Sequence, residues 1–190
     1  MIASVEGVVG AVAADSLVIE VGGIGYRVFA APSVLATAQP GGRLKLHTYH
    51  LVREDQQALF GFATTEELAF FELLMTVSQV GPRLALAITA AHPVTRLQLA
   101  VVTDDVDAYT SVSGVGRKTA QRIILELKEK VHAAGIAGST AATDSDIVAA
   151  LESLGYSNTE ARRAAGAVAG TDGELDARIK AALQELARSR

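Results

Sequence analysis

The 190-residue sequence predicts a multidomain α+β protein. Three observations predict it. Apolar residues alternate with period two over residues 1–62, helical spacing takes over at Thr64, and a charge-free stretch of small residues at 133–143 sets a helical tail apart.

In the first third, Val5, Gly7 and Val9 alternate, followed by Leu17, Ile19 and Val21, then Tyr26 and Val28. Leu44, Leu46 and Thr48 continue the pattern, and Ala58, Phe60 and Phe62 end it. Asp15-Ser16 and Gly22–Gly25 provide turns between runs, and Pro40-Gly41-Gly42 closes an irregular stretch before the fourth run. Five short strands in so few residues predict a small OB-like β-barrel over residues 1–63, although an SH3-like barrel would show the same pattern.

Thr64 and Glu67 have capping-box spacing, and Leu68, Phe71 and Leu74-Met75 recur at helical intervals. Helical patterns run on through 64–132, broken at Gly81-Pro82, His92-Pro93 and Gly114–Gly116. Residues 133–143 read as a flexible linker. Beyond it, Asp144 or Ser145 caps a helix carrying Ile147, Val148, Leu151 and Leu154. Ser157/Glu160 and Thr171/Glu174 repeat the capping-box spacing, so 144–190 reads as a small three-helix, UBA-like domain, expected to stand independent of the rest.

Composition narrows the function classes. No run of about 18 apolar residues occurs, so no membrane-spanning helix is expected. The start, Met1–Glu6, lacks the basic-then-apolar order of a signal peptide, and without cysteine there is neither disulfide nor thiolate metal site. A cytoplasmic protein is expected. Net charge is −4, and Lys+Arg against Asp+Glu stands at 4 to 5 in residues 1–62, 7 to 8 in 63–138 and 6 to 8 in 139–190. No third is basic, so any grip on nucleic acid must come from a few placed cations and from backbone donors.

The middle segment holds an internal repeat. Val77–Ile88 (VSQVGPRLALAI) aligns with Val112–Ile123 (VSGVGRKTAQRI) at an offset of 35. Each copy predicts a helix, a glycine turn and a second helix with a small residue, Ala85 or Ala120, one turn in. Glycine at such a turn lets a phosphate approach amides that a helix start leaves unpaired, at the positive end of its dipole. Arg83 and Lys118, two places after the last glycine of each copy, can add charge-assisted bonds. Such a unit, a helix-hairpin-helix, holds DNA backbone without reading bases. Gln79 stands where the second copy has Gly114, which leaves the closest approach at the first turn open.

With these features the chain resembles the RuvA family, the junction-binding subunits of the bacterial branch-migration complex. The resemblance lies in Gly22–Val28, in Val52–Asp55 leading to Leu59–Phe62, in both hairpins, in Leu154-Gly155-Tyr156, and in the order of the segments. It implies a homotetramer, single or as two stacked tetramers, that holds a four-way (Holliday) DNA junction open and square during recombination, DNA repair and the SOS response to DNA damage. It implies phosphate contacts at Gly81, Gly114 and Gly116 and at Arg83, Arg117, Lys118 and Arg122, the last equally readable as part of a solvated helix face. It implies that Glu54 and Asp55, by themselves ordinary turn residues, form an acidic pin that repels continuous duplex. It implies that the tail recruits RuvB, the hexameric ATP-driven motor, through Leu151, Leu154, Tyr156 and Leu183, with the RuvC resolvase as a further partner. Leu151 reads equally as tail core, whereas Tyr156, after a turn glycine, reads as exposed.

There is no Gly-x-x-x-x-Gly-Lys-Ser/Thr, hence no ATPase motif, and the scattered His47, His50, His92 and His132 suggest no metal; neither cofactor nor catalytic residue is expected. Two rivals remain. A glycosylase or nuclease would pair a hairpin with a catalytic carboxylate in a pocket, whereas Glu126 and Glu129 run into the linker. A single-strand binder would line a basic groove with aromatics, whereas those of the first third fall mostly at core-like positions.

Overall fold

The computed structural model describes residues 1–135, 144–169 and 175–188. They form two compact units, Met1–Glu72 with Gly81–Ala90, and Leu73–Val80 with Ala91–Arg190.

In the first unit, β1 (Ser4–Val12), β2 (Ser16–Val21), β3 (Ile24–Ala30), β4 (Arg43–Val52) and β5 (Gln57–Phe62) close a barrel in the order β1-β2-β3-β5-β4. Neighbours are antiparallel except β3 and β5, which run parallel with Val28 beside Leu59. The alternating residues Val5, Val9, Leu17, Ile19, Val28 and Leu46 point inward, each at most 4% exposed. Gly61 is required where strands crowd, because a Cβ there would lie 2.5 Å from a Val28 methyl and 2.8 Å from one of Leu46. The stretch that reads as irregular contains a short helix, α1 (Pro32–Thr37), whose Val34 and Leu35 join the barrel core. Six residues are too few for a helical period to register.

Helix α2 (Thr65–Met75) starts at a cap close to the expected one. The Thr64 hydroxyl accepts from the Glu67 N–H, but the Glu67 carboxylate takes the N–H of Ala63 instead of that of Thr64. Phe71 on α2 meets the rings of Tyr49, Phe60 and Phe62 at 5.2, 5.6 and 4.9 Å. Each such pair contributes about 0.5–1.5 kcal/mol beyond burial, so the aromatics of the first third serve packing. Helix α3 (Pro82–Ala91) begins with proline at its first position, where the missing N–H costs no helical bond.

The second unit contains α4 (Val94–Val102), α5 (Val106–Thr110), α6 (Arg117–Gly135), α7 (Asp144–Ser153), α8 (Asn158–Ala167) and α9 (Leu175–Arg188). Tyr109 is fully buried and donates its hydroxyl to the Leu97 carbonyl at 2.9 Å; burial pushes its pKa up, so it remains a donor. Helix α6 extends through Gly135, so the first residues of the expected linker are helical, while 136–143 lie outside the described residues.

The tail helices surround a core of Ile147, Leu151, Leu154, Ile179, Leu183 and Leu186. Ser157 and Glu160 form the expected reciprocal cap; Thr171 and Glu174 lie outside the described residues. The tail does not stand alone as expected. Val102 belongs to its core, Leu99 packs against it, and Gln98 donates Nε2 to the Leu154 carbonyl at 2.5 Å. Three short helices bury little apolar surface by themselves, and α4 adds Val102 and Leu99 to their core.

Candidate nucleic-acid interface

The two copies of the repeat share the same backbone bonds at the turn and at the start of the second helix. Val80 N–H donates to Val77 O at 3.2 Å, and Val115 N–H to Val112 O at 3.0 Å. The first helical bonds, Ala85 to Gly81 O and Ala120 to Gly116 O, are both 2.9 Å. Ala85 and Ala120 are completely buried, as are Ile88 and Ile123. Because the bond from Ala120 is the first of α6, the amides of Arg117, Lys118 and Thr119 have no helical acceptor. In α3 the place of Arg117 is taken by Pro82, so the first copy offers one amide fewer.

Gly81 and Gly116 are not forced by the fold. Neither has a positive φ, and a Cβ on either would meet nothing within 4 Å. Their lack of a side chain leaves the helix start open to an external group.

The candidate cations differ sharply. Among the described residues, the exposed Arg117 and Lys118 have no carboxylate partner. Arg83 donates Nη1 to Asp15 Oδ2 at 2.7 Å and lies over the Phe29 ring. Arg122 donates to the side-chain carbonyl of Gln79. Spaced by four on α6, Arg122, Glu126 and Lys130 each bond the first turn: Glu126 accepts the Ser78 N–H at 3.0 Å, and Lys130 donates to the Thr76 hydroxyl. Arg122, half-buried and bonded to Gln79, therefore helps hold the first turn.

Glu54 and Asp55 lie in the bend between β4 and β5, closed by the Arg53 N–H on Gln56 O at 2.9 Å. Both are exposed, and neither has a cationic partner among the described residues.

Leu151, Leu154 and Leu183 are at most 1% exposed and form the tail core. Tyr156 is buried too, at 5%, against the expectation of exposure. The reason is a Schellman cap. Gly155 takes φ +94° after α7, its N–H donates to Glu152 O, and the Tyr156 N–H donates to Leu151 O, which folds the tyrosine back over the last turn.

Sequence reasoning missed Asp15, Phe29, Gln98 and Glu126. Asp15 reads as a turn former and Phe29 as strand core, and nothing in their spacing links either to Arg83.

Known proteins share this layout from end to end. Residues 1–61 match the family described as RuvA N terminal domain, 71–129 the SAM-like helix-hairpin-helix tandem, and 144–187 the RuvA C-terminal domain. A protein of Acidothermus cellulolyticus named Holliday junction branch migration complex subunit RuvA is 48% identical over 93% of this chain and 89% of its own length. The chain belongs to the RuvA family. The RuvA subunit of Streptomyces coelicolor is 46% identical over the whole of both chains, and that of Acetivibrio thermocellus 43% over 92% of this one. The barrel followed by helical segments is the RuvA domain order. Among the described residues, no single helix is long and apolar enough to cross a membrane.

Proposed function

We propose that the protein binds four-way DNA junctions as a homotetramer, holds them open and square, and recruits the RuvB motor for branch migration in recombination and repair. It works in the cytoplasm as a subunit without catalysis of its own, with RuvC as a further partner. The domains are the barrel over 1–63, the hairpin region over 64–132, the linker over 133–143 and the motor-binding tail over 144–190.

The observation that carries this reading is the repeated hairpin, with matched turns, open glycines and free helix-start amides. The amides at Gly81, Gly114 and Gly116 and the side chains of Arg83, Arg117, Lys118 and Arg122 contact phosphates, and this sequence-independent grip suits a junction of any sequence. The exposed Glu54 and Asp55 bring eight carboxylates per tetramer to the centre of the junction. A carboxylate and a phosphate about 4 Å apart repel by about 1 kcal/mol in water and more at lower dielectric, so continuous duplex is disfavoured there. Leu151, Leu154, Tyr156 and Leu183 serve motor binding by shaping the tail, whose outer faces make the contact.

The test is a gel-shift titration of an immobile four-way junction against matched linear duplex over a salt series. Strong junction preference with a steep salt slope is expected, and equal affinity for duplex overturns the reading. A chain ending at Ala133 is expected to bind junctions without stimulating the motor.

A further inference from the structure

In the first hairpin, the cation placed to reach a phosphate already has an anion. Arg83 holds the position in its copy that Lys118 holds in the other. Its Nη1 lies 2.7 Å from Asp15 Oδ2, and its guanidinium carbon lies 4.1 Å from the centre of the Phe29 ring. Both partners come from one corner of the barrel: Asp15 immediately precedes β2, and Ser16 pairs with Phe29 in the β2–β3 register. The Arg83 side chain is still 62% exposed. A guanidinium carries donors around its edge, and Phe29 covers only a face, so one anion can replace another while the stacking persists.

We propose that Asp15 is an intramolecular counter-ion that occupies Arg83 until a DNA phosphate displaces it, making the first hairpin the weaker, exchangeable grip and the second the firm one. The proposal rests on the junction-binding reading of the hairpins. Two independent features point the same way. Pro82 removes an amide that the second hairpin supplies through Arg117, and the Arg83–Asp15 pair is neutral, whereas Arg117 and Lys118 have no carboxylate partner among the described residues. A neutral pair attracts DNA weakly at a distance and releases it readily. One firm and one exchangeable contact per subunit let an arm advance without leaving the protein.

Fluorescence anisotropy of the full-length protein on an immobile four-way junction, over a salt series, tests this. Asp15→Asn is expected to tighten binding about two- to fivefold at low salt, the range that an exposed ion pair commands. The gain shrinks as salt rises, and the plot of log affinity against log salt becomes steeper. In an Arg83→Gln background the same change is expected to add nothing. An Asp15→Asn protein that binds no tighter, or that gains equally without Arg83, overturns the proposal. Lys118→Gln separates the two levels. If it weakens binding while Asp15→Asn has no effect, the counter-ion role alone fails. If Lys118→Gln and Arg83→Gln both leave affinity unchanged, the hairpin reading fails and the counter-ion with it.

Discussion

Gln79 and Gly114 occupy the same place in the two turns, and both have left-handed backbone, with φ of +66° and +88°. Glycine adopts this conformation freely, whereas an L side chain there costs roughly 1–2 kcal/mol. The Gln79 carbonyl accepts from Arg122, which recovers part of that cost and fixes the turn. Gln79→Gly is therefore expected to raise stability by up to about 1 kcal/mol in urea unfolding, once the greater freedom of glycine in the unfolded chain is offset. It also releases Arg122 for the phosphate contact proposed above, so junction binding is expected to strengthen. A fall in stability would show that the Gln79–Arg122 bond outweighs the strain.

Gly116→Ala separates fold from function. The added methyl meets no atom of the protein, and φ at this position is not positive. Stability is expected to stay level or to rise by about 0.4–1 kcal/mol as the unfolded chain loses freedom. Junction affinity is expected to drop, because the methyl stands where the proposed phosphate contact approaches the helix start. Thermal unfolding and gel shift on the same sample check both halves.

Replacing the exposed pair by Glu54→Gln with Asp55→Asn removes the proposed repulsion without touching a buried contact. Affinity for linear duplex is expected to rise about fivefold or more, the equivalent of one close carboxylate–phosphate repulsion in water. Unchanged duplex binding would count against the acidic pin.

Arg83 also leaves a mark on titration. Its hydrogen bond holds the Asp15 carboxyl below the ordinary carboxylate value of 3.8, with a smaller push the same way from Ser16. A depressed carboxylate favours the folded state above its unfolded pKa, and that contribution disappears as pH falls through the folded value. Carbon-detected NMR is expected to find the Asp15 midpoint below 3.8, moving up towards it in Arg83→Gln. An unmoved midpoint would mean that the pair does not persist in solution.

The legible parts of the chain were those with a local rule. Strand alternation located the inward residues Val5, Leu17 and Leu46, and the 35-residue offset exposed two hairpins whose turns match. What stayed hidden depended on distance or on burial by neighbours. Asp15 and Arg83 are 68 residues apart, and the code for a salt bridge is merely opposite charge. Tyr156 follows a turn glycine, which ordinarily signals exposure, yet a Schellman cap turns its side chain inward. Gln98 sits in an apolar helix with nothing in sequence to name its acceptor.

That acceptor supplies the last test. Leu154 follows the final residue of α7, where helix carbonyls lack partners, and Gln98 caps its carbonyl from α4. Gln98 is 2% exposed, and its Oε1 has no partner among the described residues. An amide buried with its acceptor unsatisfied is tolerable only if the bond from Nε2 is worth keeping. Gln98→Ala strips the Leu154 carbonyl of its donor while it remains buried, a loss of about 1–3 kcal/mol. Because Leu99 and Val102 are the other α4 residues against the tail core, the loss is expected to concentrate at that face. Hydrogen exchange should speed up across α7–α9 while α6, held by buried Ile123 and Leu127, keeps its protection. If α7–α9 exchange as slowly as before, the Gln98 bond is not what steadies the tail, and the packing of Leu99 and Val102 is left to do so.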